Sequence, residues 1–142
     1  NRLKVDTNSI YSVVEWYDFR EPWDDSKTPY PKKALRFFGS GQVLFYWYNQ
    51  TPLVNSVNNR LAGEPGYYMI EGNKIKIHRW VITNGGQLEE YYGILQNDGT
   101  IKFYEQSVRY CKRSYKCLEK QRMYTIWKKT NSVKLEHFKP DW

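Results

Sequence analysis

The stretch YYMIEGNKIKIHRWVITNGGQLEEYYGILQNDGTIKFYE, residues 67 to 105, decides the fold class. Its apolar residues alternate or run for four to eight positions rich in Tyr, Ile, Val, Phe and Trp. That is the pattern of half-buried strands, and helical periodicity is absent. Between the runs lie Gly72-Asn73, Asn84-Gly85-Gly86 and Asn97-Asp98-Gly99, residue types that reach positive φ cheaply and close tight hairpins. A parallel crossover would need a helix-length connection, and none fits here. The segment reads as an up-and-down meander with strands Tyr67 to Glu71, Lys74 to Ile82, Glu89 to Leu95 and Thr100 to Glu105.

Working outward, the same signature marks Ile10 to Phe19, Ala34 to Phe38 and Gln42 to Tyr48, with Gly39-Ser40-Gly41 as a hairpin turn, and Met123 to Lys128 near the C-terminus. Eight meandering strands with open edges would invite aggregation, and closure removes the edges. The expected fold is all-β, an antiparallel up-and-down β-barrel of about eight strands. A chain of 142 residues suits one domain, the barrel covering about 10–129 and a basic, aromatic tail, 130–142, packed outside or frayed. Two connections exceed a hairpin: Arg20 to Lys33, with three prolines, and Asn49 to Pro65, with one helical turn expected around Ser56 to Ala62. Strands one and three run in the same sense, so both long loops leave from one mouth. Loops of this length are more often functional or mobile than accidental.

The composition is 40% hydrophobic and 18% aromatic, which excludes a disordered chain. The formal charge of +7 is unevenly spread. Arg109, Lys112, Arg113, Lys116, Lys120 and Arg122 against Glu119 give 6 − 1 = +5 between 109 and 122, leaving 7 − 5 = +2 elsewhere. A local basic patch is expected. No apolar run is long enough to span a bilayer. The start at Asn1 without Met fits a mature secreted chain or one trimmed after a leader or lipid-anchor segment. Cys111 and Cys117, with no nearby His or further Cys, offer too few ligands for a structural zinc site. A disulfide is expected, which favours an oxidising, extracytoplasmic compartment. Free thiols in a cytosolic chain are the alternative, and the spacing is not the C-x-x-C of a redox pair.

The first strand bearing Trp16, the hairpin LRFFGSGQVLFYWYN, and the runs GYYMIEGNKIKI and YYGILQNDGTIKFYE together resemble the lipocalin-like (calycin) β-barrel domains of small bacterial, Bacteroidetes-type lipoproteins. The likeness covers about residues 10 to 129. It implies a cavity or barrel mouth for a small apolar or amphipathic ligand, and an anchored position in the cell envelope, at the periplasm or cell surface.

Catalysis needs a nucleophile or converging titratable groups. His78 shares a strand face with Lys74, Lys76 and Trp80, His137 lies in the tail, and Glu89 and Glu90 point to opposite faces as strand neighbours. No enzyme, cofactor or metal is expected. Val43 to Tyr48 is apolar on both faces, as are Tyr67/Tyr68 and Tyr91/Tyr92. Either the tail and loops cover the outside, or an aromatic surface awaits a ligand or partner. The candidate ligand-binding residues are Trp16, Trp23, Tyr30, Tyr46, Trp47 and Tyr48, around the mouth. The basic segment is read as a solvated hairpin that faces an anionic glycan, lipid or acidic partner.

Three functions follow: a binding protein with an aromatic mouth for a small amphipathic ligand, an interaction subunit docking on envelope proteins through aromatic and basic surfaces, and a nucleic-acid binder. The first expects an empty interior and the second a packed barrel with an exposed aromatic patch. The third expects steep salt dependence, but oligonucleotide-binding folds have about five strands.

Overall fold

The computed structural model describes residues 4–18, 33–47, 57–59, 62–82, 85–104, 110–130 and 134–142. Its strands are β1 (Ile10–Asp18), β2 (Lys33–Phe37), β3 (Gln42–Trp47), β4 (Glu64–Glu71), β5 (Lys74–Val81), β6 (Gln87–Leu95), β7 (Ile101–Tyr104) and β8 (Met123–Thr130), with helix α1 (Tyr115–Lys120) before β8. Each strand pairs antiparallel with the next, and β8 pairs with β1 to close the barrel. The turn glycines Gly41, Gly72 and Gly99 have positive φ, as the hairpin reading required.

Alternation sends one set of side chains inward. Tyr11, Leu35, Phe37, Phe45, Ile77, Phe103 and Trp127 belong to one buried cluster. Phe37 meets Tyr11 and Tyr68 edge-on at 5.4 and 5.0 Å, a favoured ring geometry. Of the polar atoms brought inside, Trp127 Nε1 donates to Thr125 Oγ1 at 2.8 Å and Tyr68 Oη donates to the Phe38 carbonyl at 2.7 Å, whereas Arg79 Nε has no hydrogen-bond partner among the described residues. Each large side chain so buried contributes roughly 1.5 to 3 kcal/mol by transfer from water.

Two further clusters lie on the outside of the wall and account for strands that are apolar on both faces. On β1 to β3, Ile10, Ala34, Leu44 and Tyr46 are covered by Val57 and by Leu135, Phe138 and Trp142 of the tail. Arg36 pins this cover. It donates to the carbonyls of Val57, at 2.6 Å, and Glu136, and its guanidinium lies over the rings of Phe38 and Phe138 at 5.1 and 4.6 Å. On β6 and β7, Tyr92 and Tyr104 are covered by Cys111, Leu118, Tyr115 and Cys117.

That second cover corrects the expectation of a solvated hairpin between 109 and 122. Cys111 and Cys117 are joined, their Cα atoms 5.4 Å apart. Ser114 caps α1 by accepting from Cys117 N, Lys120 lies in the last turn, where a cation suits the helix dipole, and Leu118 is fully buried. Two apolar anchors, Leu118 and the half-buried Tyr115, thus turn a run of cations into a one-sided helix seated on the barrel.

In β1 the pairing with β8 slips by one residue between Val13 and Glu15. This bulge, at the exposed Val14, reverses the alternation beyond it. Trp16 therefore pairs with the buried Thr125 on the interior face, while Tyr17 stacks on Tyr124 outside, with centroids 5.3 Å apart.

Candidate functional site

The C-terminal ends of β1, β3, β5 and β7 meet the starts of β2, β4, β6 and β8 at one mouth, so both long connections leave from the same rim. The entrance is occupied by Arg79. It follows Ile75 and Ile77 on the inward face of β5 and is only 5% exposed. Its guanidinium lies 4.7 and 4.6 Å from the ring centroids of Phe45 and Trp47. It donates to Glu64 Oε2 at 2.6 Å and to Glu89 Oε2, and Tyr91 Oη donates to the same Glu89 oxygen at 2.6 Å. Burial pushes the Glu89 carboxyl up, but the bonds from Tyr91 and Arg79 outweigh it and hold the group below the usual range. Beside this cluster, a pocket that Trp47 and Tyr91 line at the entrance and Leu35, Ile77, Phe103 and Trp127 line further in holds about 20 Å³ of free space, about enough for one water.

Of the residues proposed to bind at the mouth, Trp16 and Trp47 are at it. Trp47 stacks on Phe45 with centroids 6.1 Å apart and is partly exposed. Tyr46, its neighbour, points to the opposite face and is buried under the tail cluster. Desolvation there pushes its phenol up to about 12, against a smaller pull from Arg36. Trp23, Tyr30 and Tyr48 lie outside the described residues, as does Arg109 of the basic patch. Lys112, Arg113, Lys116, Lys120 and Arg122 are all exposed on the disulfide segment. Arg113 Nε contacts Glu90 Oε2 at 3.0 Å, and His78 Nε2 is 4.0 Å from the same carboxylate, on the outer wall. Glu89 and Glu90 thus serve opposite faces.

The outer wall of β4 to β6 carries a feature not read from the sequence. Trp80 is 62% and Ile82 85% exposed, with Tyr67, Met69 and Leu88 also exposed nearby. Trp80 pairs across the sheet with Leu88, and Tyr67 with His78. Together with Glu64, Pro65 and Trp142 of the tail they line an open groove of about 550 Å³. Gly86 sets the Trp80 ring. Its φ is +88°, and a Cβ there would come within 2.6 Å of Trp80 Cζ2, so only glycine lets the indole lie against the turn. Alternation from Ile75 and Ile77 carried the signal for an inward Arg79 and an outward Trp80. It did not reveal that the groove over Trp80 lies uncovered.

Chemically, the arrangement suits binding by apolar and aromatic contact. Among the described residues no three His, Cys, Asp or Glu side chains converge to hold a metal ion, and no helix is long and apolar enough to cross a membrane. Comparison with protein-family models, curated proteins and solved structures finds no match.

Proposed function

We propose that this chain is a non-enzymatic interaction module of lipocalin-like type that works outside the cytoplasm and docks a protein partner on its outer wall, over Tyr67, Trp80 and Leu88. The observation that carries this reading is a contiguous group of large apolar side chains turned outward beside Trp142, whereas the space among Leu35, Phe45, Phe103 and Trp127 holds about one water. Aromatic and Met side chains at the centre with charged residues at the edge are the composition of an interface core and its rim. Here Glu64 and the polar ring of His78 supply the edge. The Cys111–Cys117 disulfide supports an oxidising compartment. The closed eight-stranded meander supports kinship with the barrels of envelope lipoproteins.

A second reading, a small amphipathic ligand at the mouth, is favoured by Phe45, Trp47, Tyr91 and Trp127 around the entrance with Lys33 at its edge. One experiment separates the two. A photo-crosslinking amino acid is placed at position 80 or at position 47 in cells that make the protein, and the adducts are weighed. The proposal expects a discrete polypeptide adduct from position 80 that Leu88→Glu abolishes. A low-mass adduct from position 47, with none from position 80, would replace it with the mouth reading.

A further inference from the structure

A second recess lies further down the same wall, between the β4–β5 turn and the disulfide segment, and has about 890 Å³ of space. Lys74 and Lys76 line it from β5, Arg113 and Lys116 from the disulfide segment, and Glu71 is the one acid among its described lining residues. We propose that this recess is a binding site for an acidic polysaccharide, independent of the groove over Trp80.

The lysines are set by rings and not by carboxylates. Lys74 Nζ lies 5.0 Å from the Tyr115 centroid and Lys76 Nζ 5.2 Å from that of Tyr92. Neither they nor Lys112 and Lys116 have a carboxylate within salt-bridge distance among the described residues. A ring face orients an ammonium without neutralising it, so the charge stays available to an incoming anion. Tyr115 is itself fixed, its Oη donating to the Ile75 carbonyl at 3.0 Å. The opposite bank is equally constrained. Arg113 holds left-handed backbone at φ of 60° inside a loop closed by Cys111–Cys117, and its guanidinium is ion-paired with Glu90 at 3.0 Å. Cations held this way lose little freedom on binding.

The occupant follows from charge and shape. The cations ask for an anion with several charges. A bilayer is flat and would meet protruding cations, whereas these line a recess. A peptide bound by strand addition needs an open sheet edge, and the closed barrel offers none among the described residues. An acidic polysaccharide brings carboxylate or sulfate groups together with hydroxyls, and Asn73 and Ser114 line the recess between the cations as neutral hydrogen-bonding groups.

The test uses the whole chain with its disulfide intact and four probes: polyuronate, neutral dextran, vesicles containing phosphatidylglycerol, and a single-stranded oligonucleotide. Binding is followed by calorimetry at two salt concentrations. Polyuronate should bind, dextran should not, and affinity should fall with salt. Lys74→Glu/Lys76→Glu should weaken binding at least tenfold. Lys128→Glu/Lys134→Glu changes the net charge equally at exposed positions elsewhere, and it should change binding less than threefold. Circular dichroism confirms that both variants fold. Equal losses in the two variants would reduce the effect to net charge and overturn the site. Tighter binding of vesicles or oligonucleotide than of polyuronate would overturn the assigned occupant. Trp80→Ala leaves polyuronate binding intact on this proposal, so the site and the aromatic groove can fail separately.

Discussion

Replacing Tyr46 with Phe should make the protein more stable, although Tyr46 lies among the residues that sequence alone places in the binding surface. Its hydroxyl is buried and has no hydrogen-bond partner among the described residues, and its ring is packed within the cluster under the tail. A hydroxyl buried without a partner costs about 1 to 3 kcal/mol, and Phe keeps the ring and its contacts. We expect a gain of about 1 to 2 kcal/mol at pH 7, hence a rise in Tm of roughly 3 to 8 °C for a chain of this size. The alkaline limb gives a second reading. The folded phenol ionises near 12, against about 10 when unfolded. The neutral hydroxyl's preference for the fold is therefore fully present below pH 10 and lost as pH rises through 12, a change of roughly 3 kcal/mol. The variant has no such group, so its advantage over wild type should widen from about pH 10 upward. Urea unfolding of both proteins from pH 7 to 12 measures this, and other raised tyrosines, such as Tyr11 and Tyr104, cancel in the difference. A loss of stability at pH 7, or a difference that does not change with pH, would refute the assignment of Tyr46 to a dry, unpartnered site.

Two further outcomes follow from the fold. Cys111→Ser/Cys117→Ser opens a loop of sequence separation 6 and should lower stability in urea by roughly 2 kcal/mol; a shift below about 0.5 kcal/mol would mean that the cross-link constrains nothing. At the acid end, Asp6 is held low chiefly by the Asn8 amide, and Glu89 by Tyr91 and Arg79 against its burial. The stability these two carboxylates give is complete above their unfolded pKa values of about 4 and lost as pH falls below them. Glu89→Gln should lower stability at pH 7 and flatten the acid limb, and an unchanged acid slope would show that Arg79 does not depend on this carboxylate.

The strands were legible because period-two alternation and glycine turns are local signals. From Gln42 to Trp47 the sequence showed two apolar faces, since Leu44 and Tyr46 are as apolar as Val43 and Phe45, and left open whether the chain itself or a partner covers the outer one. What covers them was not legible, because the bond from Arg36 to the Glu136 carbonyl joins residues 100 positions apart. Helix α1 escaped notice for a different reason. Its six residues are shorter than two turns, and three of them are charged, so its apolar stripe reduces to Tyr115, Cys117 and Leu118. At the mouth, alternation alone placed Arg79 beside Ile75 and Ile77, but the partners that make an inward arginine tolerable, Glu64 and Glu89, come from neighbouring strands and become visible only once the register is known.

The pairing of β1 with β8, from Ile10↔Thr130 to Asp18↔Met123, bears on how the chain reaches this state during synthesis. The first strand gains its second neighbour only when the last strand has emerged, and the Arg36 clamp must wait for residue 136. A chain halted before Met123 lacks the strand that pairs with β1 from Ile10 to Asp18. Topologies dominated by such distant pairings fold in milliseconds to seconds, not microseconds. Closure of the sheet therefore depends on the strand contact of greatest sequence separation in it.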